Sequence, residues 1–518
     1  MEDHRNEGSL WDLPTHLTVR YVYPYLTLSE CLCAMTTCKQ LCRDVQTSME
    51  NWFETVQVTG LSFPNNLHNM QRVAKLKLSQ TCSAVLGNCI QDVGARLRVV
   101  ECDNVEMLQL SPTLTDSILF EIARSCPMLQ VIKLEGGDLA ITDWGVRCLA
   151  HSACSRFLVE VSIAGASSVT DVGILLERCP NLQRVAFPRC LAIKRLAVGA
   201  AEGGRSDRPN RLSVLDLSSN TELQILTPLL GFQNLHSVNL SGCGLIDDSA
   251  LVLLVQASPL LADVSVSYCA KLTDFGLKRF FALLRGRTLR KFVCARCVRV
   301  GDVGLMALCN SAQDALLELD CQHCHLVTDA LLGHLGSKCP NLQTLHMRGM
   351  DLIEDAGVVL LCQGCVGLQR LSLAACTKLS NAALFAVARH LHALRHLDLF
   401  CVSEVTDDGL IELAGRCLAL GQINVSWCFQ LSSDLVLELK QSRRFPLGIS
   451  HEGLEMITSK QVRQQQPLSK PMSPHQTHRR RHHAARERVP TNQLGFVHQD
   501  LMLPFCCVLP QTQNVRRQ

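Results

Sequence analysis

CPNLQTLHMRGMDLIED (339–355) and LQRLSLAACTKLS (368–380) are two copies of one phrase. Leu342, Leu345, Met347 and Met350 in the first copy match Leu368, Leu371, Leu373 and Cys376 in the second. Working outward, the phrase returns at Leu316, Leu394 and Leu420, each step being 26 residues. The last copy runs Leu420, Ile423, Val425 and Cys428. Apolar residues two apart share one face of an extended chain, so L-x-L within the phrase predicts a short strand. Val327-Thr328-Asp329 and Val405-Thr406-Asp407 follow three residues past the Cys position. Thr or Asp before an apolar run at helical spacing marks a helix start. Cys-Pro-Asn-Leu (339–342) then turns the chain into the next strand.

A period in the range 20–29 with this phrase is the mark of a leucine-rich repeat. One strand–helix unit cannot bury its own apolar face, whereas stacked units can, so the expectation is an α/β solenoid, a horseshoe with strands lining its inner side. The pattern resembles the cysteine-containing subfamily of these repeats, in "CPNLQTL" and "VTD". Toward the N-terminus the expected strand starts are Val105, Leu129, Leu158, Leu182, Leu212, Leu235, Leu261 and Leu289, giving thirteen repeats in all. The 30-residue step from Leu182 contains GAAEGGRSDRPN (199–210), a Gly-rich polar bulge.

The composition agrees. The chain has 518 residues, 47% hydrophobic but only 5% aromatic, which suits stacked Leu ladders better than an aromatic-rich core. The sequence lacks an 18-residue apolar run, so no transmembrane span is expected. The polar start MEDHRNEGSLWDLP has no apolar signal core. The expected location is cytoplasmic, nuclear or both, and the 28 cysteines are then not read as a disulfide framework. Net charge is +3, but residues 441–518 hold 12 Lys/Arg and 4 Asp/Glu, a net of +8, leaving the body at −5. An acidic body speaks against nucleic-acid binding outside the tail.

The expected organisation is a disordered start at 1–9, a helical unit at 10–55, an irregular lead-in at 56–104 with a strand near Val73, Leu76 and Leu78, the repeats at 105–441, and a basic, mostly disordered tail at 442–518. HRRRHHAARER (478–488) within the tail has the composition of a nuclear-localisation or nucleic-acid patch, or of a solvated tail. Leu13, Pro14, Leu26, Glu30, Cys38, Lys39 and Trp52 occupy the places of a known pattern: Leu-Pro, a central Leu, an acid four residues on, Cys-Lys, and a final Trp. The stretch is similar to an F-box. It departs at Leu41, where that family has Trp, and by one extra residue between Pro14 and Leu26.

The resemblance implies that residues 10–55 bind a Skp-type adaptor joined to a cullin scaffold, with Leu13, Pro14, Leu17, Leu26, Leu32 and Trp52 as the contact set. The repeats would then hold a protein substrate for ubiquitin transfer by a separate enzyme. The other reading is a scaffold or inhibitor whose F-box-like unit is only a cap on the solenoid.

Catalytic motifs are missing from the sequence: it has no His-Glu-x-x-His, no Gly-x-Ser-x-Gly and no phosphate-binding Gly loop. A non-catalytic chain without cofactors is expected. Cys294-x-x-Cys297 and Cys321-x-x-Cys324 have zinc-pair spacing, but they fall on the third apolar place and the Cys place of their repeats, so a packing ladder accounts for them. Candidate substrate contacts are the residues between and just after the apolar positions. They are small in the early strands (Ser162, Ala186, Ser218, Asn239, Ser265) and large in the later ones. The later set is Tyr268, Arg296, His323, His346, Arg348, Arg370, His396, Phe400 and Trp427. Aromatics and Arg dominate binding hot spots, and Phe400 with Trp427, flanked by Arg348 and Arg370, is the expected focus.

Overall fold

The computed structural model describes residues 55–59, 75–79, 90, 94–105, 114–136, 139–194, 211–224, 233–284, 289–441 and 448–450. The F-box-like stretch up to residue 54, the Gly-rich segment 199–210 and the tail from 451 onward lie outside the described residues.

Each repeat contributes one strand to a single 16-stranded parallel sheet in strict sequence order. The first five strands are β1 (Thr55–Thr59), β2 (Lys75–Ser79), β3 (Val99–Val105), β4 (Val131–Gly136) and β5 (Glu160–Ala164). Eleven three-residue strands follow: β6 (Arg184–Ala186), β7 (Val214–Asp216), β8 (Ser237–Asn239), β9 (Asp263–Ser265), β10 (Lys291–Val293), β11 (Glu318–Asp320), β12 (Thr344–His346), β13 (Arg370–Ser372), β14 (His396–Asp398), β15 (Gln422–Asn424) and β16 (Gly448–Ser450). This is a leucine-rich-repeat solenoid.

Register follows the phrase. Leu345, Leu371, Leu397 and Ile423 are Cα partners in successive strands and all are buried. The first Leu of each phrase, Leu342, Leu368, Leu394 and Leu420, is fully buried beneath them. Each such side chain contributes roughly 1.5–3 kcal/mol by leaving water, and it does so only because a neighbouring repeat covers it.

The sheet differs from the sequence expectation at three places. Leu97, Val100, Cys102 and Val105 form the phrase at β3, so Val105 ends a strand rather than starting one. Val105-x-x-Leu108-x-Leu110 also fits the pattern, and the pairing of Val100 with Leu76 and Ile132 selects the earlier frame. The lead-in is more regular than expected, with β1 and β2 paired in parallel over five residues. β16 extends the sheet past residue 441 by pairing with β15.

Helices cover the other side of the sheet. They include α1 (Asp116–Ser125), α2 (Asp143–His151), α3 (Gly173–Arg178), α4 (Asp248–Ala257), α5 (Asp274–Leu283), α6 (Asp302–Ala312), α7 (Asp329–Lys338), α8 (Asp355–Gly364), α9 (Asn381–His390), α10 (Asp407–Arg416) and α11 (Ser433–Gln441). No described helix is long and apolar enough to cross a membrane.

Thr142, Thr273, Thr328 and Ser380 are helix N-caps whose hydroxyls accept from their own first turns. The Asp that follows the cap does something the sequence reading missed. It reaches into the next repeat and accepts that repeat's cap amide and hydroxyl. Asp116 accepts the Thr142 amide at 2.8 Å and its hydroxyl at 2.6 Å; Asp248 does the same for Thr273, Asp302 for Thr328 and Asp355 for Ser380. The carboxylate leaves no room for a side chain two residues after the next Asp. A Cβ at Gly145, Gly276, Gly304 or Gly357 would lie 2.4, 2.0, 2.6 or 2.3 Å from the preceding repeat's Asp. D-x-G at a helix start is therefore a contact between repeats written as a local motif.

Candidate protein-docking face

The thiol ladder fixes where each repeat leaves the sheet. The Cys297, Cys324, Cys376 and Cys428 Sγ atoms each donate to a carbonyl of the preceding repeat, at 3.1–3.2 Å. Asn220 fills the same place between Cys190 and Cys243. Its amide donates to the Phe187 and Leu217 carbonyls, and its Oδ1 accepts from the Cys190 amide. Burial pushes the Cys297, Cys376 and Cys428 thiols up to about 12, so they remain protonated donors at neutral pH. Cys294 and Cys321 are fully buried in the apolar ladder, and Cys297 and Cys324 already donate to carbonyls. This arrangement carries the ladder reading of the two Cys-x-x-Cys pairs. Among the described residues no group of three or more His, Cys, Asp or Glu is placed to hold a metal ion.

Just before the ladder residue the chain turns. The last residue of several strands is Asp or Asn, and its side chain caps the strand end. Asp216, Asn239, Asp320, Asp398 and Asn424 accept the amide two residues on, at 2.9–3.2 Å. The next residue in each repeat is left-handed. Arg189, Ser219, Tyr268, Arg296, His323, Ala375, Cys401 and Trp427 have φ between 55° and 64°, with Gly242 and Gly349 at the same place. Bulky residues resist this conformation locally, at a cost on the order of 1 kcal/mol or more. The stack enforces it. The amides of Tyr268, Arg296 and His323 donate to the Ala295, Gln322 and Arg348 carbonyls of the following repeats at 2.7–2.8 Å. Hence Tyr268, Arg296, His323 and Trp427 are turn residues at the rim of the sheet.

The candidate contacts fall in three groups. Tyr268, Arg296 and His323 occupy successive turns after β9, β10 and β11. The Arg296 guanidinium lies over the Tyr268 ring, 5.5 Å from its centroid. A Cβ at Gly349 would be 2.5 Å from the His323 Nδ1, so the imidazole occupies the space that glycine leaves in the next turn. Burial, followed by the nearby Arg296 and Arg348 charges, holds His323 below the usual imidazole range. His325 lies 6.1 Å away, ring to ring, and pairs with Asp351 at 3.4 Å.

The second group joins Arg348 to Phe400, with the guanidinium 4.9 Å from the ring centroid. The contact spans two strands, because the intervening residue in β13's repeat is the small, fully buried Ala374. Trp427 makes its ring contact with Phe429, edge to face at 6.0 Å. The expected Phe400–Trp427 focus is therefore divided: Phe400 serves Arg348, and Trp427 serves Phe429, a residue absent from the candidate set.

The third group lies along the strands. Arg370 and His396 are Cα partners at the opposite end of β13 and β14. Arg370 is exposed, away from Arg348, while His396 Nδ1 contacts Gln422 Oε1 at 3.1 Å. His346 sits half-buried in β12. The early strands are also less bland than expected. Lys75, Glu101, Lys133 and Glu160 form a zigzag of ion pairs across β2 to β5 at 3.4–3.7 Å. Leu13, Pro14, Leu17, Leu26, Leu32 and Trp52 lie outside the described residues.

The face presents polar and aromatic side chains repeated at strand spacing. The fold and this face define the class, a leucine-rich-repeat protein with an elongated parallel sheet. No protein-family model matches the chain. Among solved structures it is similar to one titled "Crystal structure of Rad7 and Elc1 complex in yeast", with 15% identity and a TM-score of 0.45, over 79% of this chain and 96% of that chain.

Proposed function

We propose that this chain is the substrate-recognition subunit of an SCF-type (Skp–cullin–F-box) ubiquitin ligase. In this reading residues 10–55 bind the Skp-type adaptor and the strand face of the repeats holds a protein substrate. The chain acts by proximity, holding its target while a separate enzyme transfers ubiquitin.

The carrying observation is the pairing of two features in one chain: the Leu13-Pro14 … Cys38-Lys39 … Trp52 pattern, and a 16-stranded sheet directly after it. At about 4.8 Å per strand the face is on the order of 70 Å along the stack, the scale of a protein partner rather than a small molecule. The cysteines of the ladder are built into packing, and the caps take up the recurring aspartates, so the face offers contacts more than chemistry.

The test is co-expression of the full chain with a Skp-type adaptor and a cullin. The expected result is a stable ternary complex on size exclusion that Leu13→Ala with Pro14→Ala dissolves, while circular dichroism of the repeats is unchanged. Burying each adaptor-facing apolar side chain contributes roughly 1.5–3 kcal/mol, enough for the double variant to lose pull-down. Undiminished adaptor binding by the double variant would overturn the assignment of these residues.

A further inference from the structure

We infer that the turns after β9 to β14 form a docking strip for an acidic, extended segment of a protein partner, with Arg296 and Arg348 each receiving one carboxylate. The inference deepens the receptor reading by naming the substrate class of the same face, and it rests on that reading only for the word substrate.

Arg296 and Arg348 are two of the large side chains at the sheet rim, and none of the ion pairs among the described residues involves either one. Each guanidinium instead lies over an aromatic face, Arg296 on Tyr268 and Arg348 on Phe400. The ring contact holds the guanidinium without consuming its fork of N–H donors, which stay available to a ligand. A stacked Arg is thus held in place before a ligand arrives, and less side-chain freedom is lost on binding. The fork matches a carboxylate, which it grips through two parallel hydrogen bonds.

The two anchors are separate. Arg296 follows β10 and leans back toward the turn after β9; Arg348 follows β12 and leans forward to the turn after β14. Their backbones are two strand steps apart, about 10 Å, and the leaning widens that gap. His323 lies between them, and its burial, followed by the Arg296 and Arg348 charges on either side, favours its neutral form. The strip therefore presents two spaced single cations with a neutral imidazole between them. Two monoanionic carboxylates fit this better than one dianionic phosphoryl group. An extended chain advances about 3.4 Å per residue, so the two acids belong about three to seven residues apart.

The surroundings disfavour a polyanion. Asp320 lies in the same repeat as His323, and Asp398 in the same repeat as Phe400; both are fixed by hydrogen bonds from neighbouring amides. A nucleic acid laid along the strip would meet these carboxylates, whereas a peptide with two isolated acids contacts only the arginines.

The experiment is selection of phage-displayed random dodecapeptides on the immobilised full chain. The expected outcome is enrichment of peptides with two Asp or Glu at a fixed spacing of about three to seven residues. The selected peptide, read by fluorescence polarisation, should lose at least tenfold affinity when either acid becomes Gln. Arg296→Glu and Arg348→Glu should each weaken it at least tenfold, and Arg348→Gln by less. Arg184→Glu, an exposed charge change in β6, should leave it unchanged. Enrichment without a spaced acid pair would overturn the inference, as would indifference to both Arg variants. So would binding that requires phosphoserine in place of the acids, or equal competition by single-stranded DNA of the same charge. Adaptor assembly is scored in parallel. Peptide failure with an intact adaptor complex removes this inference alone, and peptide binding without adaptor assembly removes the receptor reading alone.

Discussion

Replacing Asp355 with Ala isolates the contact that couples one repeat to the next. Asp355 sits at the start of α8 and accepts three hydrogen bonds from the start of α9: the Ser380 amide at 2.9 Å, the Ser380 hydroxyl at 2.6 Å and the Ala383 amide at 3.2 Å. Alanine removes all three and leaves the cap amide and one first-turn amide of α9 without that acceptor. Hydrogen bonds to a charged group contribute about 1.5–3 kcal/mol each when buried, and these are only part-buried. A total loss of about 2–4 kcal/mol is expected, in line with an N-cap loss of up to about 2 kcal/mol plus the hydroxyl bond. Asp355→Asn should cost much less, about 1 kcal/mol or below. Its Oδ1 still accepts both amides, and its amide can donate to the Ser380 hydroxyl. That arrangement already exists one repeat later, where Asn381 accepts the Thr406 amide and donates to the Thr406 hydroxyl. Asp408→Ala serves as control: this residue is exposed in the first turn of α10 and should lose only the helix-dipole contribution, about 0.3–1 kcal/mol. A solenoid couples nearest neighbours, so the damage should be local. The assay is urea unfolding combined with amide hydrogen exchange resolved to α9. Faster exchange at Ala383 should appear in Asp355→Ala and not in Asp355→Asn. If the Asn variant is as damaged as the Ala variant, or if neither exceeds the Asp408 control, the inter-repeat capping argument is wrong.

The glycine two residues after a cap-following Asp and a glycine inside a helix provide an opposed pair. Gly357→Ala places a Cβ 2.3 Å from Asp329 Oδ1 and should destabilise by about 1–3 kcal/mol, whereas Gly415→Ala in α10 meets nothing within 4 Å and should stabilise by about 0.5–1 kcal/mol; thermal melts of the two variants should move in opposite directions. The ladder thiols should resist alkylation. With Cys297, Cys376 and Cys428 pushed up to about 12, their thiolate fraction at pH 8 is roughly a thousandfold below that of a free thiol. Iodoacetamide mapped by mass spectrometry should modify them only after unfolding. The sign for stability follows: folded thiols keep their protons where unfolded ones lose them, so these residues stabilise below about pH 8.5 and lose that contribution as pH rises further.

The sequence alone determined the repeat. Its 26-residue step, the alternating Leu positions and the recurring Cys and Thr-Asp places are local regularities, and a strand–helix unit follows from each copy. That the rim residues stand outside the Leu ladder was also legible from the alternation, but Tyr268 and Arg296 are exposed while His323, Arg348, Phe400 and Trp427 are half-buried, which the pattern alone does not give. The tertiary structure decided everything that depends on the neighbouring repeat. Asp116 and Thr142 meet across 26 residues, so the carboxylate reads locally as a helix start and only stacking shows whom it serves. The overlapping frames at Leu97 and Val105 are equal in pattern, and strand pairing alone separates them. No local preference places Tyr268, Arg296 or Trp427 in a left-handed turn; for Tyr268 and Arg296 a bond to the next repeat's carbonyl does. Arg348 finds Phe400 rather than Arg370 as its companion because Ala374 between them is small and buried, a fact about three successive repeats that one copy of the phrase does not contain.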